Sequence, residues 1–294
     1  MSINYSIIIP HKNSLSLLKR CVNSIPTRKD IEVLVIDDDS SIQKEEWDLF
    51  KKNNQHITDL ILTKEGKGAG YARNIGLTKA NGKWIVFADA DDFFYPNAFE
   101  CLDSYKDSDY DIIYFYCNSR NGNTLELIPD RVKKIKRGIK TRDYNLLRYG
   151  SSVPWGKMIR RTLILNHNIW FDETFVSNDV MFSLKVGYYA KRIGTISSPL
   201  YCCTENMNSL FFKRDNERMK TRVLVAARAN IFLHKHQLDD YQLRTIINYI
   251  FYFFPNNPKL FLWALWKGRY KGHFFKYIYH IGRSFISHIL SRNK

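Results

Sequence analysis

Three carboxylates stand within four residues at Asp89-Ala90-Asp91-Asp92, directly after the apolar run Trp84-Ile85-Val86-Phe87-Ala88. A second acidic cluster, Asp37-Asp38-Asp39, follows the run from Ile31 to Ile36. Carboxylates crowded in this way repel one another unless a positive charge sits between them, and the economical partner is a divalent cation. A hard cation held by carboxylates usually also carries a phosphate, so the chemistry on offer is metal-assisted handling of a phosphorylated ligand. Several nucleotide folds place acids at strand ends. A dinucleotide-binding fold needs a glycine-rich turn after its first strand, where this chain has Pro10-His11-Lys12-Asn13. Gly66-Lys67-Gly68-Ala69-Gly70 lacks the Gly-Lys-Ser/Thr ending of a phosphate-binding loop. A phosphoaspartate hydrolase would not have Phe93 two residues after its second acid, and a receiver domain would be much shorter.

Both clusters need strands to carry them. The run before Asp89 is short, β-branched and aromatic, and Gly82 precedes it, so it reads as a buried strand. Strands are also predicted at Tyr5 to Ile9, Ile31 to Ile36, Leu60 to Leu62 and Asp111 to Tyr116. Helices are predicted from Leu15, over Gln43 to Asn53, Tyr71 to Ala80 and Asn97 to Tyr105. This β-α-β-α rhythm implies an α/β fold with a mostly parallel central sheet, in which the strand ends face one ligand crevice. The pattern changes after Tyr116. Residues 118–140 are polar and basic with a hairpin at Asn121-Gly122-Asn123, and helical signals run from Thr141 to Asn166. A helix starts near Asn178-Asp179, short strands at Arg192 to Thr195 and Leu200 to Cys203 flank Pro199, and the chain reads as helical from Asp215.

With 294 residues the chain can bury a full core, and 45% hydrophobic against 25% charged residues is the balance of a folded protein. A net charge of +16 calls for phosphate-bearing ligands, a polyanion or an anionic membrane surface. Cys21, Cys101, Cys117, Cys202 and Cys203 form no metal-binding spacing and read as reduced thiols. Neither a signal peptide nor a spanning segment is visible, which gives the expectation of a cytoplasmic protein. Beyond Asp240 no acidic residue occurs, and Phe274, Ile278, Ile281, Phe285 and Ile289 recur at helical spacing among Lys276, His280 and Arg283. That is the composition of a basic amphipathic helix lying on an anionic membrane surface. Its alternative is a terminal helix packed on the core. A nucleic-acid partner is not expected, since the basic and aromatic residues crowd into the terminal helices instead of tracking a groove.

Five segments, in order, resemble the family 2 glycosyltransferases: Ser6–Asn13, Glu32–Ser40, Gly70–Gly76, Gly82–Asp92 and Asn178–Phe182. The resemblance implies a GT-A catalytic domain over 1–212, with a helical extension over 213–294. It implies a metal-dependent enzyme that moves a sugar, with inversion, from a nucleotide sugar to a hydroxyl of a lipid-linked or growing glycan. The nucleotide would be held by Pro10, Asp38, Arg73 and Asp89, with Asp38 accepting a hydrogen bond from the uracil imide or a similar base edge. Asp91, assisted by Asp89, would bind Mn²⁺ or Mg²⁺ bridging the diphosphate. Asp92 fits better as the cap of the following helix. Asp179 would be the general base that takes the acceptor's proton, a role compatible with capping its own helix. Asn178 stands where the family usually has Glu. Pro154-Trp155-Gly156-Lys157 resembles a segment bordering acceptor sites, which would place Trp155, Lys157 and Asn178 against the acceptor. A non-catalytic nucleotide-sugar or glycan-binding member of a membrane assembly is the alternative.

Overall fold

The computed structural model describes residues 2–131, 133–205, 214–238, 243–268, 279 and 282. They belong to two compact units, Met1–Ser209 and Leu210–Lys294. The first unit opens with β1 (Tyr5–His11), α1 (Leu15–Asn23), β2 (Ile31–Asp38), α2 (Lys44–Asn53), β3 (Asp59–Thr63), α3 (Ala69–Lys79) and β4 (Trp84–Phe87). It continues with β5 (Phe93–Phe94), α4 (Ala98–Asp103), β6 (Ile112–Asn121), β7 (Leu127–Ile128), α5 (Lys133–Thr141) and α6 (Tyr144–Tyr149). β8 (Lys157–Arg160), α7 (Arg161–Asn166), α8 (Val180–Tyr189) and β9 (Ile193–Glu205) complete it.

The strands form one nine-stranded sheet in the order β3-β2-β1-β4-β8-β6-β9-β5, with β7 paired to β6. β1, β2, β3, β4, β6 and β9 run one way, and β5, β7 and β8 run against them. Every residue of β1, β2 and β4 is buried, as expected of parallel strands covered by helices on both faces. Their side chains alternate between two cores. Ile7, Ile9, Val33, Val35 and Val86 pack with Leu18, Trp47, Phe50 and Phe99 of α1, α2 and α4. Ile8, Leu34, Ile36, Ile85 and Phe87 pack with Ala72, Ile135, Leu147, Phe182 and Val186 on the opposite face. The period of two thus divides this first unit into three layers.

Three expectations need correction. Residues 157–160, expected within a helical stretch, form the antiparallel strand β8 between β4 and β6. Gly156 adopts φ +74°, which breaks any helix leading into it, and the two flanking strands offer unsatisfied backbone groups on both sides. The polar and basic stretch of residues 118–140, in which only a hairpin is expected, contains most of α5, because Ile135, Gly138 and Ile139 fall on one face and bury it. The two short strands around Pro199 are one strand, β9, whose register against β6 shifts where Pro199, lacking an N–H, faces Tyr116. The hairpin at residues 121–123 is present: Asn121 Oδ1 accepts from the backbone N–H of Asn123 and Thr124, turning β6 into β7.

The second unit contains α9 (Asn216–Lys235), α10 (Leu243–Phe251) and α11 (Pro258–Gly268). Asp215 caps α9 by accepting from the Arg218 N–H at 2.8 Å. Met219, Val223, Ile246, Ile247, Ile250 and Phe253 share its core. No helix among the described residues is long and apolar enough to cross a membrane. The amphipathic segment expected over residues 274–289 lies outside the described residues.

Candidate active site

The register brings the chemistry to one edge. His11 lies opposite Asp37, and Ile8 opposite Phe87, so β1, β2 and β4 end together. β8 runs the other way, with Met158 opposite Val86, so its first residues reach that same edge. Asp38, Asp89 and the Pro154–Lys157 segment thereby share one rim, although they come from distant parts of the chain.

On the β1–β2 side, Pro10 is buried inside the strand and His11 closes it. His11 Nε2 accepts from the Ser14 N–H at 3.0 Å, which leaves Nδ1 to donate to Asp37 Oδ1 at 2.7 Å. Burial pushes the Asp37 carboxyl up, but the bonds from His11 and Ser40 outweigh it and hold the pKa below the usual value. Asp37 is therefore a structural anion that locks the two strand ends. Asp38 differs. Its Oδ2 accepts from the Gly68 N–H at 2.8 Å, Lys12 Nζ donates to its backbone carbonyl at 2.8 Å, and its buried Oδ1 has no partner. Gly68 adopts φ +93°, a conformation that side chains rarely take, and this lets its N–H point at Asp38.

Beyond β4 the three acids separate in role. Asp92 is 2% exposed and both its oxygens are engaged, by the Tyr201 hydroxyl at 2.7 Å and the Thr204 N–H at 2.7 Å. The expectation that it caps the next helix is not met: the cap of α4 is Asn97, and Asp92 clamps β9 instead. Burial and then Asp91 push its pKa well above the usual carboxylate range. Asp89 accepts from Arg73 Nη2 at 2.6 Å on one oxygen and from the Trp155 indole N–H at 3.2 Å on the other. Its backbone N–H donates to Tyr201 Oη at 2.9 Å. Asp91 has no side-chain partner among the described residues. Burial and the nearby Asp89 raise its pKa to about 6. One oxygen of each acid lies within 4.8 Å of the others. A carboxylate with no side-chain partner among the described residues, pushed toward protonation by burial and then by Asp89, suits a hard divalent cation, which Asp91 would hold with Asp89.

Arg73 joins this half to the other. It is 6% exposed, donates to Asp89 and, at 3.0 Å, to Asn178 Oδ1, and lies 5.4 Å from the Phe171 ring centroid. The Asn178 amide donates in turn to the Thr174 carbonyl at 3.2 Å. α3 approaches this loop so closely that a Cβ on Gly70 would lie 2.1 Å from the Asp172 carbonyl oxygen. Asp179 occupies the N-cap of α8, yet its side chain makes no capping hydrogen bond, so the carboxylate is open to other use. Burial raises its pKa, opposed by Arg73 and Lys157. Trp155 and Lys157, expected to border the acceptor, are each 1% exposed. The Trp155 ring stacks on Tyr201 at a centroid distance of 5.5 Å, so in this arrangement it presents no open face to a sugar.

Tyr201, Thr204 and Arg20 also shape the site and were missed in the sequence. Thr204 Oγ1 donates to the Asp91 carbonyl at 2.7 Å, and Arg20 donates to the same oxygen. No short motif contains them, because they lie more than 70 residues from Asp91 along the chain.

The sequence matches the family described as glycosyl transferase family 2 over residues 6–165, more than half of the chain. The uncharacterized glycosyltransferase YibD of Escherichia coli is 29% identical over 212 residues, 67% of this chain and 60% of that protein. The cholesterol galactosyltransferase of Borreliella burgdorferi is 26% identical over 225 residues, 70% of this chain and 61% of that protein. Poly(ribitol-phosphate) beta-N-acetylglucosaminyltransferase TarS of Staphylococcus aureus is 24% identical over 250 residues, 80% of this chain and 43% of TarS. The matches therefore span about 60% or less of these relatives' lengths. The crystal structure of TarS 1–349 in complex with UDP-GlcNAc has the same fold, with a TM-score of 0.63 at 18% identity over 90% of this chain and 88% of that one. The sheet order, the acidic strand ends and these matches agree: the chain has the GT-A fold and belongs to glycosyl transferase family 2.

Proposed function

We propose that the chain is an inverting glycosyltransferase that moves a hexosyl group from a UDP-sugar to a hydroxyl of a lipid-linked or growing glycan, as in surface polysaccharide assembly. The observation that carries this reading is the gathering of Asp38, Arg73, Asp89, Asp91 and Asp179 on one sheet edge, with Asp38 Oδ1 buried and unpartnered. That oxygen is an acceptor awaiting a donor, which an imide N–H supplies. Asp91 with Asp89 would hold a divalent cation, Mn²⁺ or Mg²⁺, which when bound would supply Lewis-acid neutralisation of the diphosphate leaving group. Arg73 is poised to exchange its contact with Asp89 for phosphate oxygens. Asp179 removes the proton from the acceptor hydroxyl as that oxygen bonds to the anomeric carbon. The bond from that carbon to the phosphate oxygen breaks, and UDP leaves with the electron pair. A carboxyl raised toward neutral pH by burial is suited to that work.

We also propose that the protein works on a membrane surface, at its cytoplasmic face. Leu262 and Trp266 of α11 are exposed one turn apart, with Lys267 Nζ 4.4 Å from the Trp266 ring centroid.

A donor screen with Mn²⁺, reading nucleotide release and thermal protection by each nucleoside diphosphate, tests the assignment. UDP is expected to protect best. Asp179→Asn is expected to lower transfer by ~10²–10⁴-fold while UDP protection stays unchanged. Full turnover in that variant would end the assignment of the base. Protection by UDP with no turnover of any donor in the unaltered protein would favour a binding protein.

A further inference from the structure

Lys157 is 1% exposed, although its ammonium carries three donors and a charge that is costly to remove from water. Its Nζ approaches Ser183 Oγ at 3.5 Å and lies 5.5 Å from the centroid of the Tyr114 ring, and it forms no ion pair among the described residues. The Ser183 hydroxyl donates to the Ser152 carbonyl at 2.7 Å, so it turns its lone pairs toward Lys157. Ser183 lies one turn after Asp179 on α8, and its N–H donates to the Asp179 carbonyl at 2.9 Å. Lys157 shares a face of β8 with Ile159, which packs in the same core as Phe182 and Val186 of α8. A buried cation is thus directed at the first turn of the helix that carries the proposed base.

The charges acting on Asp179 come from three elements: Arg73 of α3, Lys157 of β8, and Asp89 after β4. Arg73 is divided between Asp89 and Asn178. Lys157 lies by Tyr114 of β6, and the charges of Asp179, the N-cap of α8, and of Cys117 of β6 act on it. Burial lowers its pKa to about 8, and Asp179 is the strongest influence in the other direction.

We propose that Lys157 is a positioning residue for the base, its buried ammonium holding Asp179 in the anionic form and fixing the first turn of α8 through Ser183. This rests on the reading of Asp179 as the base. Asp179 must be ionised before an acceptor hydroxyl can lose its proton to it. Burial works against that ionisation, and Arg73 and then Lys157 work for it, Lys157 from a position sealed off from solvent.

Lys157→Met keeps an unbranched side chain one atom shorter and removes the charge. The acidic limb of the kcat/KM profile should move up by about 1 pH unit, with kcat reduced below the limb, recovering above it, and the donor KM unchanged. A uniform loss with the limb in place would overturn the proposal. NMR titration of the Lys157 ammonium in the intact protein and in Asp179→Asn needs neither turnover nor a Lys157 variant that folds. Lys157 should deprotonate at lower pH once the Asp179 charge is gone, and an unchanged titration would overturn the coupling. Undiminished transfer by Asp179→Asn would instead overturn the base assignment, so the two failures are distinguishable.

Discussion

Asp37 and Asp38 are adjacent acids with opposite duties. Asp37 is satisfied by His11 and Ser40 and serves the fold, whereas Asp38 retains an oxygen with no partner. A buried acceptor without a donor costs stability, so its retention points to a ligand that completes it. Asp38→Asn can keep the bond from Gly68 through its carbonyl and then presents a donor where the acceptor stood. UDP affinity should fall by about tenfold to a hundredfold, the ~1.5–3 kcal/mol of a charged hydrogen bond, with thermal stability in the absence of nucleotide little changed. Calorimetric titration with UDP measures it, and equal affinity in the variant would remove Asp38 from the base site. The three acids after β4 follow the same logic. Asp92 is consumed by Tyr201 and Thr204, Asp89 is shared between Arg73 and Trp155, and Asp91 has no side-chain partner among the described residues.

At the scale of elements, the reversed strand β8 has the largest effect on the site. Running against its neighbours, it delivers Trp155 and Lys157 to the edge where the parallel strands end. The opposite end of the sheet is held by different chemistry. Arg28 donates to Asp30 at 2.7 and 3.0 Å and to Asp103 of α4 at 2.7 and 3.0 Å, which ties the entry to β2 onto that helix. Hydrogen bonding from Arg28 lowers the Asp30 pKa from 3.8 to about 2, against the effect of burial. Because the folded value lies below the unfolded one, this stabilisation is complete above about pH 4 and is lost as the pH falls through about 2. Asp30→Asn should therefore melt about 2–4 °C lower at pH 6, for ~1 kcal/mol of a partly exposed pair, with most of that gap closed by about pH 2. A gap that persists undiminished at pH 2 would assign the loss to packing.

At the scale of the molecule, the unit Met1–Ser209 carries the whole candidate site, and Leu210–Lys294 adds helices with a distinct core. The +16 net charge falls most heavily on a C-terminal stretch without acids, and α11 combines exposed Leu262 and Trp266 with exposed Lys259 and Lys267. If this face meets anionic lipid, Lys259→Glu and Lys267→Glu should each weaken binding to phosphatidylglycerol vesicles about fivefold or more, since ~1 kcal/mol per basic residue is at stake. Added salt should reduce binding of the unaltered protein. Vesicle flotation insensitive to both changes would exclude α11 from the contact.

Strand ends at Asp38 and Asp89 were legible because an apolar run broken by acids is a local signal, set by side chains within a few residues. The helix carrying Arg73 and the start of α8 at Asp179 were legible for the same reason. β8 was not, since four residues between helical stretches become a strand only when β4 and β6 offer backbone partners on both sides. Nor was the division of labour among Asp89, Asp91 and Asp92, which depends on Tyr201 and Thr204 more than 100 residues away. By itself the sequence determined the parallel strands β1, β2 and β4, the helices between them and the carboxylates that end those strands, because propensity and periodicity act over neighbouring residues. Only the tertiary structure decided which oxygens remain free, that Trp155 and Lys157 are buried, and which charge faces Asp179. Hydrogen-bond satisfaction and desolvation depend on whatever the fold brings close, however far apart along the chain.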